Sequence, residues 1–173
     1  MARRFKRHKY KHELFRCSTN LLFDRDPTSE KNHVWVGDVT FIRVGRKWPY
    51  LSTVMDWYTR EIIGWRVSKN NDAMLVKESL LMAIAGNNHT AETIFHTDQG
   101  VVYASKIFRQ TLESFGFRVS MSRKEHCLDN AYMESFYHTL KTEMVYFMRF
   151  KHLAEATIHI MDYIRYYSGY ILG

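Results

Sequence analysis

The run Val34-Trp35-Val36-Gly37-Asp38-Val39-Thr40-Phe41-Ile42 is the most strand-like segment of the chain, and an acid stands in its middle. β-Branched and aromatic residues at this density pack well on a pleated, half-buried surface. A carboxylate placed among them loses hydration, which is costly unless the group is paired or holds a cation. Asp38 thus has to be accommodated inside a sheet, and it is the first candidate for chemistry.

The flanking pattern extends this strand into a sheet. His33 to Val44 reads as the first strand, followed by the turn signal Gly45-Arg46-Lys47. Trp48 to Met55 is a second strand and Glu61 to Val67 a third, with Asp56-Trp57-Tyr58-Thr59-Arg60 between them. Short connections of this kind predict an antiparallel meander. The apolar period then changes. Leu75, Val76, Ser79, Leu80, Ala83 and Ile84 recur at helical spacing across Asp72 to Ala85, and Gly86-Asn87-Asn88 supplies a stop. Thr93 to His96 reads as a short buried strand. Ser105 to Phe115 is a helix capped by Ser105 and ended by Gly116, and Phe117 to Met121 is a fifth strand. Asp129 to Met148 and Leu153 to Tyr167 are two further helices. The order β-β-β-α-β-α-β-α-α predicts an α/β fold with one five-stranded mixed sheet flanked by helices.

Two more acids stand in suggestive positions. Asp98 closes the short fourth strand and precedes Gln99-Gly100, at the C-terminal strand edge where α/β sheets gather ligands. Glu134 lies near the start of the third helix. At about 100° per residue, Asn130, Tyr137, His138 and Lys141 share its side, while Phe136, Leu140, Met144 and Phe147 fall opposite. The apolar stripe is expected to pack on the sheet and leave the Glu134 face open. His96 and His138 read as structural or hydrogen-bonding residues, because imidazole is a poor ligand for hard cations.

Length and composition bound the remaining possibilities. A chain of 173 residues, 46% apolar and 25% charged, suits one well-packed domain. No run of about eighteen apolar residues can span a membrane, and the basic N-terminus lacks the apolar stretch of a secretory signal. These features predict a cytoplasmic or nucleoid-associated protein with no membrane partner. Cys17 and Cys127 form no CxxC pair, and the nine histidines show no zinc-ligand spacing. Residues 1–16 carry seven basic side chains, among them Arg3, Arg4, Lys6 and Arg7, against Glu13 alone. They therefore hold six of the seven net positive charges. A cationic arm on a near-neutral body suits an anionic polymer such as DNA through counterion release. Residues 1–30 are expected to form this arm and a polar linker, residues 31–167 the core, and residues 168–173 a divergent or truncated tail.

The words Trp35-Val36-Gly37-Asp38-Val39-Thr40, His96-Thr97-Asp98-Gln99-Gly100 and Asp129-Asn130-Ala131-Tyr132-Met133-Glu134-Ser135-Phe136 resemble those of insertion-sequence transposases with a retroviral-integrase-like core. Thirty-five residues separate Asp98 from Glu134 and 59 separate Asp38 from Asp98; the first interval is typical of that family's acidic triad. Val54 to Trp65 and Leu140-Lys141-Thr142-Glu143 also resemble it. The resemblance implies a ribonuclease-H-like fold whose first three strands are antiparallel. It implies that Asp38, Asp98 and Glu134 are catalytic and bind two Mg²⁺ or Mn²⁺ ions, a role that hard oxygen donors suit. It further implies metal-dependent DNA cleavage and strand transfer, with Lys141, Asn130 and Tyr137 contacting DNA or supporting the site. Element ends and target DNA are the implied substrates, and self-association into a homo-oligomer the implied assembly.

The chain also departs from the family pattern. A short basic arm stands where relatives carry a helix-turn-helix region. Ser122-Arg123-Lys124-Glu125-His126-Cys127 lacks the glycine common in the loop before the third acid. Tyr166-Tyr167-Ser168-Gly169-Tyr170-Ile171-Leu172-Gly173 replaces a Tyr-Asn-x-x-Arg-x-His ending. These departures predict a truncated catalytic core, with a partner protein from an upstream reading frame as a possibility. The alternatives are a catalytically inactive DNA-binding remnant that acts by mixed assembly, and a ribonuclease-H-type nuclease on RNA–DNA hybrids.

Overall fold

The computed structural model describes residues 20–22, 30–122 and 131–172. Its sheet contains β1 (Val34–Phe41), β2 (Tyr50–Asp56), β3 (Ile62–Ser68), β4 (Ile94–Thr97) and β5 (Arg118–Met121). The strand order is β3-β2-β1-β4-β5. β1, β2 and β3 pair antiparallel, whereas β4 runs parallel to β1 and β5 parallel to β4. This is the expected mixed sheet led by a meander.

Two helices bridge the later strands. Helix α1 (Ala73–Gly86) joins β3 to β4, and its N-cap Asp72 accepts from the amides of Met74 and Leu75. Helix α2 (Lys106–Ser114) joins β4 to β5, with Ser105 accepting from Phe108 N. Each cap satisfies amides that the first helical turn leaves without partners. Gly116, at φ +76°, turns the chain back towards β5 in a conformation that glycine adopts without steric cost. Trp35, Val54, Val76, Leu80, Phe95, Phe108 and Leu112 make the core on this side. Gly64 allows the close approach of β3 and α1, since a Cβ there would stand 2.2 Å from Ser79 O.

The opposite face carries α3 (Ala131–Leu140), a π-helical turn (Lys141–Val145) and α4 (Leu153–Leu172). Val34, Val36, Leu51, Met55, Ile94, Met133, Phe136, Leu140, Ile160 and Ile164 form the second core. Side chains alternate between the faces of a strand. Val34 and Val36 thus lie on the α3 side, and Asp38 and Thr40 follow them onto it.

The structure corrects three boundaries. The helix expected to continue to Met148 leaves α-geometry at Leu140, and the π turn ends at Val145. Wider winding shifts every later side chain around the axis. Phe147, assigned to the apolar stripe, lies past the end of the helix and is 79% exposed. Residues 168–172, expected to form a tail, instead continue α4 to Leu172. Finally, part of the segment read as arm and linker belongs to the body: Leu22 is buried in the core, and Leu21 N donates to Ser120 Oγ at 2.9 Å. The adjacent apolar residues Leu21 and Leu22 account for that docking. Among the described residues no helix is long and apolar enough to cross a membrane.

Candidate active site

The parallel register brings two of the three expected acids to one place. Gly37 faces Thr97 across β1 and β4, and β4 ends there. Asp38 and Asp98 are the next residue on each strand. β1 runs on past its shortened neighbour, so both acids stand where the sheet opens to solvent. Asp98 is exposed and Asp38 is partly exposed. Each carboxylate is oriented locally. Asp38 Oδ1 accepts from Val39 N at 2.7 Å, and Asp98 Oδ1 accepts from Gly100 N at 2.8 Å. A Cβ at position 100 would stand 2.8 Å from that same Asp98 oxygen, so the glycine lets the carboxylate fold over the turn. Gly37 does a related job beneath the site, since a side chain there would meet the Phe95 ring at 2.8 Å and the Tyr103 hydroxyl at 3.4 Å.

Two buried tyrosines line the acidic corner. Tyr137, on α3, donates to the Asp38 backbone carbonyl at 2.7 Å, and its oxygen lies 2.6 Å from Thr53 Oγ1. Thr53 is the residue of β2 that faces Asp38. Burial pushes the Tyr137 phenol well above its ordinary value, and the charge of Asp38 adds to the shift while the Thr53 contact opposes it. Burial also raises Tyr103, with Asp38, Tyr137 and Asp98 reinforcing it. Both phenols feel both carboxylates, which agrees with the strand register in putting the two acids side by side.

Glu134 and Lys141 come from the helix above. α3 is moored at its start by Arg60, whose guanidinium lies 3.1 Å from the centre of the Tyr132 ring, and at its end by Tyr137. Glu134 lies between these moorings, exposed to solvent. Among the described residues, no three His, Cys, Asp or Glu side chains converge closely enough to hold a metal ion. The strand register brings Asp38 and Asp98 to the same end of the sheet, and Glu134 is carried by α3. Lys141 Nζ donates to Thr40 Oγ1 at 2.7 Å and lies 4.8 Å from the centre of the Phe41 ring. Burial lowers the Lys141 pKa, and Asp38 partly offsets this.

The other expected site residues divide cleanly. Tyr137 is 6% exposed and committed to Asp38 and Thr53. Its hydroxyl is thus taken up inside the protein, between β1 and β2. Its side was misjudged because the buried arc of α3 runs from Met133 through Tyr137 to Leu140. His96 is buried and bonded to Ser120 Oγ at 2.9 Å, a structural role as expected, while His138 is exposed. Asn130, Arg3, Arg4, Lys6 and Arg7 lie outside the described residues, as does Glu125. Sequence reasoning passed over Thr40, Thr53 and Tyr103. The hint was polar Ser52 and Thr53 in the middle of a strand.

Asp56 shows what a purely structural acid looks like in this fold. It is fully buried and accepts from Asn32 N, Tyr58 N, Thr59 N and Thr59 Oγ1 at 2.6 to 3.2 Å. Its lone pairs are consumed in shaping the β2–β3 turn. Asp38 is instead partly exposed and Asp98 exposed.

Comparison with known proteins agrees with this arrangement. An integrase core domain model matches residues 28–127, and a second integrase core domain model matches residues 134–169. The transposase for insertion sequence element IS904 of Lactococcus lactis is 38% identical over 165 residues, covering 93% of this chain and 65% of that protein. Transposase InsF for insertion sequence IS3A of Escherichia coli is 37% identical over 145 residues, covering 84% of this chain and 50% of its own length. The chain thus spans between half and two thirds of the length of these relatives. Among solved structures, a chain of the simian T-cell lymphotropic virus intasome superposes with a TM-score of 0.61 at 24% identity, over 68% of this chain and 41% of its own. The catalytic domain of Mos1 mariner transposase gives 0.58 at 16% identity, over 78% of this chain and 70% of its own. These structural likenesses establish a ribonuclease-H-like fold. Taken with the match over residues 28–127, they lead to one conclusion: the chain belongs to the integrase core domain family.

Proposed function

We propose that this chain is the catalytic core of a DNA transposase, cleaving DNA strands and transferring the resulting ends, with Asp38, Asp98 and Glu134 as its catalytic acids. The observation that carries the reading is the parallel register that sets Asp38 beside Asp98 at an open sheet edge beneath α3. The donor set is carboxylate oxygen throughout, which fits Mg²⁺ or Mn²⁺ and not a thiophilic metal. Two such ions would supply an acidified water and a counter-charge for the leaving oxygen.

The chain's own residues perform the remaining tasks. Val39 N and Gly100 N orient the two sheet carboxylates through hydrogen bonds. Tyr137 holds β1 against α3 and so fixes the height of Glu134 above the sheet. Glu134, carried by the same helix, would complete the carboxylate set with the two sheet acids when metal is bound. Lys141, beside Asp38, is suited to a phosphate of the DNA strand next to the reacting one. DNA is the substrate of this reading, in the form of element ends and target, and a homo-oligomer that bridges two ends is the working assembly. Residues 31–172 form the core, and the basic arm before it adds sequence-independent affinity for DNA.

The test is Mn²⁺-dependent nicking and strand joining on DNA oligonucleotides, with Asp38→Asn and Glu134→Gln as comparisons. Loss of activity in both variants is expected. Full activity in either one overturns the assignment, and salt-dependent DNA binding without any cleavage by the unaltered chain favours a non-catalytic DNA-binding role.

A further inference from the structure

A groove with a cavity volume of about 800 Å³ opens beside Lys141, between the β1–β2 hairpin and the segment that follows the π turn. Phe41, Trp48 and Tyr146 line it and remain 52%, 54% and 71% exposed. Large aromatic side chains at such exposure leave apolar surface in water, an arrangement that marks binding surfaces when the residues cluster. Phe41 and Trp48 pack edge to face with centroids 5.5 Å apart, so they form one wall and do not swing independently. The floor is tied together by Gly45 N, which donates to Phe150 O at 2.8 Å.

The charge of the groove has one sign. Arg43, Lys141, Arg149 and Lys151 line it, and no acidic residue does. Among the described residues none of these four cations forms an ion pair. The groove lies beside the acidic corner, because Lys141 on its wall also donates to Thr40, two residues beyond Asp38. An apolar peptide would leave these cations without counter-charge, and the chain's own basic arm would be repelled. A DNA duplex hides its base faces in the stack and so makes no use of exposed aromatic rings. An unpaired strand offers both phosphates and base faces.

From this juxtaposition we infer that the groove binds a short unpaired DNA strand leading into or out of the acidic site, with bases stacked on Trp48 and Tyr146 and phosphates held by Arg43, Lys141, Arg149 and Lys151. The inference rests on the reading of the chain as a DNA-cleaving core, and it adds the form of substrate engaged next to the reacting bond. Bases opened from the duplex at the site would be captured here.

The experiment measures binding of fluorescein-labelled dT12 and of a blunt 24-base-pair duplex to the full chain, by anisotropy in EDTA at low salt. Trp48→Ala and Tyr146→Ala are expected to weaken dT12 binding at least about fivefold, the scale of one lost base–aromatic stack, with duplex affinity held within about twofold. Trp48→Phe, which keeps a stacking face, restores most of the dT12 affinity. Arg149→Glu flattens the salt dependence of dT12 binding. No binding of dT12 by the unaltered chain, unchanged dT12 affinity in both alanine variants, or equal weakening towards dT12 and duplex each overturns the groove. Duplex nicking in Mn²⁺ by the same preparations separates the two ideas. Nicking with groove-independent dT12 binding removes the groove alone, whereas groove-dependent dT12 binding without nicking removes the nuclease reading alone.

Discussion

Tyr137 hydroxyl donates to the backbone carbonyl of Asp38 at 2.7 Å across 99 residues of sequence. One bond thereby couples the helix that carries Glu134 to the strand that carries the first acid. Thr53, facing Asp38 on β2, closes the cluster at 2.6 Å from the same phenol oxygen. The third acid's position therefore depends on a buried hydrogen-bond cluster as well as on the backbone of α3.

Removing that phenol should weaken both fold and site. Tyr137→Phe removes the phenol's bond to the Asp38 carbonyl and leaves the Thr53 hydroxyl only Met133 Sδ, in a buried setting, at a cost of about 1–3 kcal/mol. Urea unfolding should report this loss, and Mn²⁺-dependent nicking should fall further than the unfolded fraction explains. An unchanged unfolding midpoint would contradict the coupling.

Metal should stabilise the fold only when the acids are intact. Two neighbouring carboxylates repel each other, so neutralising one relieves the metal-free protein and removes a ligand from the loaded one. Thermal melting of the unaltered chain should rise on addition of millimolar Mn²⁺. Asp98→Asn should melt at the same temperature as the unaltered chain or higher in EDTA, and should gain little from the ion. A full Mn²⁺ shift in Asp98→Asn would remove this residue from the metal-binding set.

Strongly alkaline conditions should unfold the protein through its buried phenols. The pKa values of Tyr103 and Tyr137 are raised on folding, chiefly by burial and next by the charge of Asp38. Their contribution to stability is full below the unfolded phenol pKa of about 10 and is lost as pH climbs towards the folded values. The unfolded chain gives up these protons first, so stability declines from about pH 10 upward. Denaturant midpoints at pH 9 and pH 11 check the sign, and Tyr137→Phe should show a shallower decline.

Gly64→Ala should be severely destabilising although the residue is remote from the acids. Its new methyl would stand 2.2 Å from the Ser79 carbonyl and 2.8 Å from Ala83 N, both on α1. Separating β3 from α1 exceeds the cost of ordinary overpacking, about 1–3 kcal/mol. Soluble expression and melting temperature decide this one, and a variant that melts within a few degrees of the unaltered chain would contradict it.

The end of α4 should divide into a dispensable and an essential part. Ending the chain after Tyr167 removes Tyr170, which is 77% exposed, and should lower stability by no more than about 1 kcal/mol, or about 2–4 °C. Ending it after Tyr163 also removes buried Ile164 and Tyr167, whose ring lies 4.8 Å from that of Phe136. That change should cost several times more. Melting curves of the two truncations give the comparison.

Much of this molecule was legible in its residues. Alternation and turn chemistry are local properties, so the three-stranded meander, helices α1 and α2 with the Ser105 cap, and the strand-edge setting of Asp98 could be read directly. The resemblance in the words around Asp38, Asp98 and Glu134 reached the same family as the later comparisons. What escaped was everything that depends on which surfaces meet. The parallel register of β1 and β4, which puts Asp38 beside Asp98, joins segments 60 residues apart and leaves no local mark. Tyr137 looked like a surface residue because a helical wheel gives angles but not the width of the buried arc. The π turn was equally hidden. The helix ends with it, which leaves Phe147 outside the core, and the groove beside Lys141 opens along the same stretch of chain. Sequence by itself determined the elements, the family and the three candidate acids, because those rest on local patterning. Tertiary structure alone decided that two acids share one corner, that a buried phenol ties the helix bearing the third to the strand bearing the first, and that a basic aromatic groove lies beside them. Those relations are created by packing between distant segments, which no local pattern encodes.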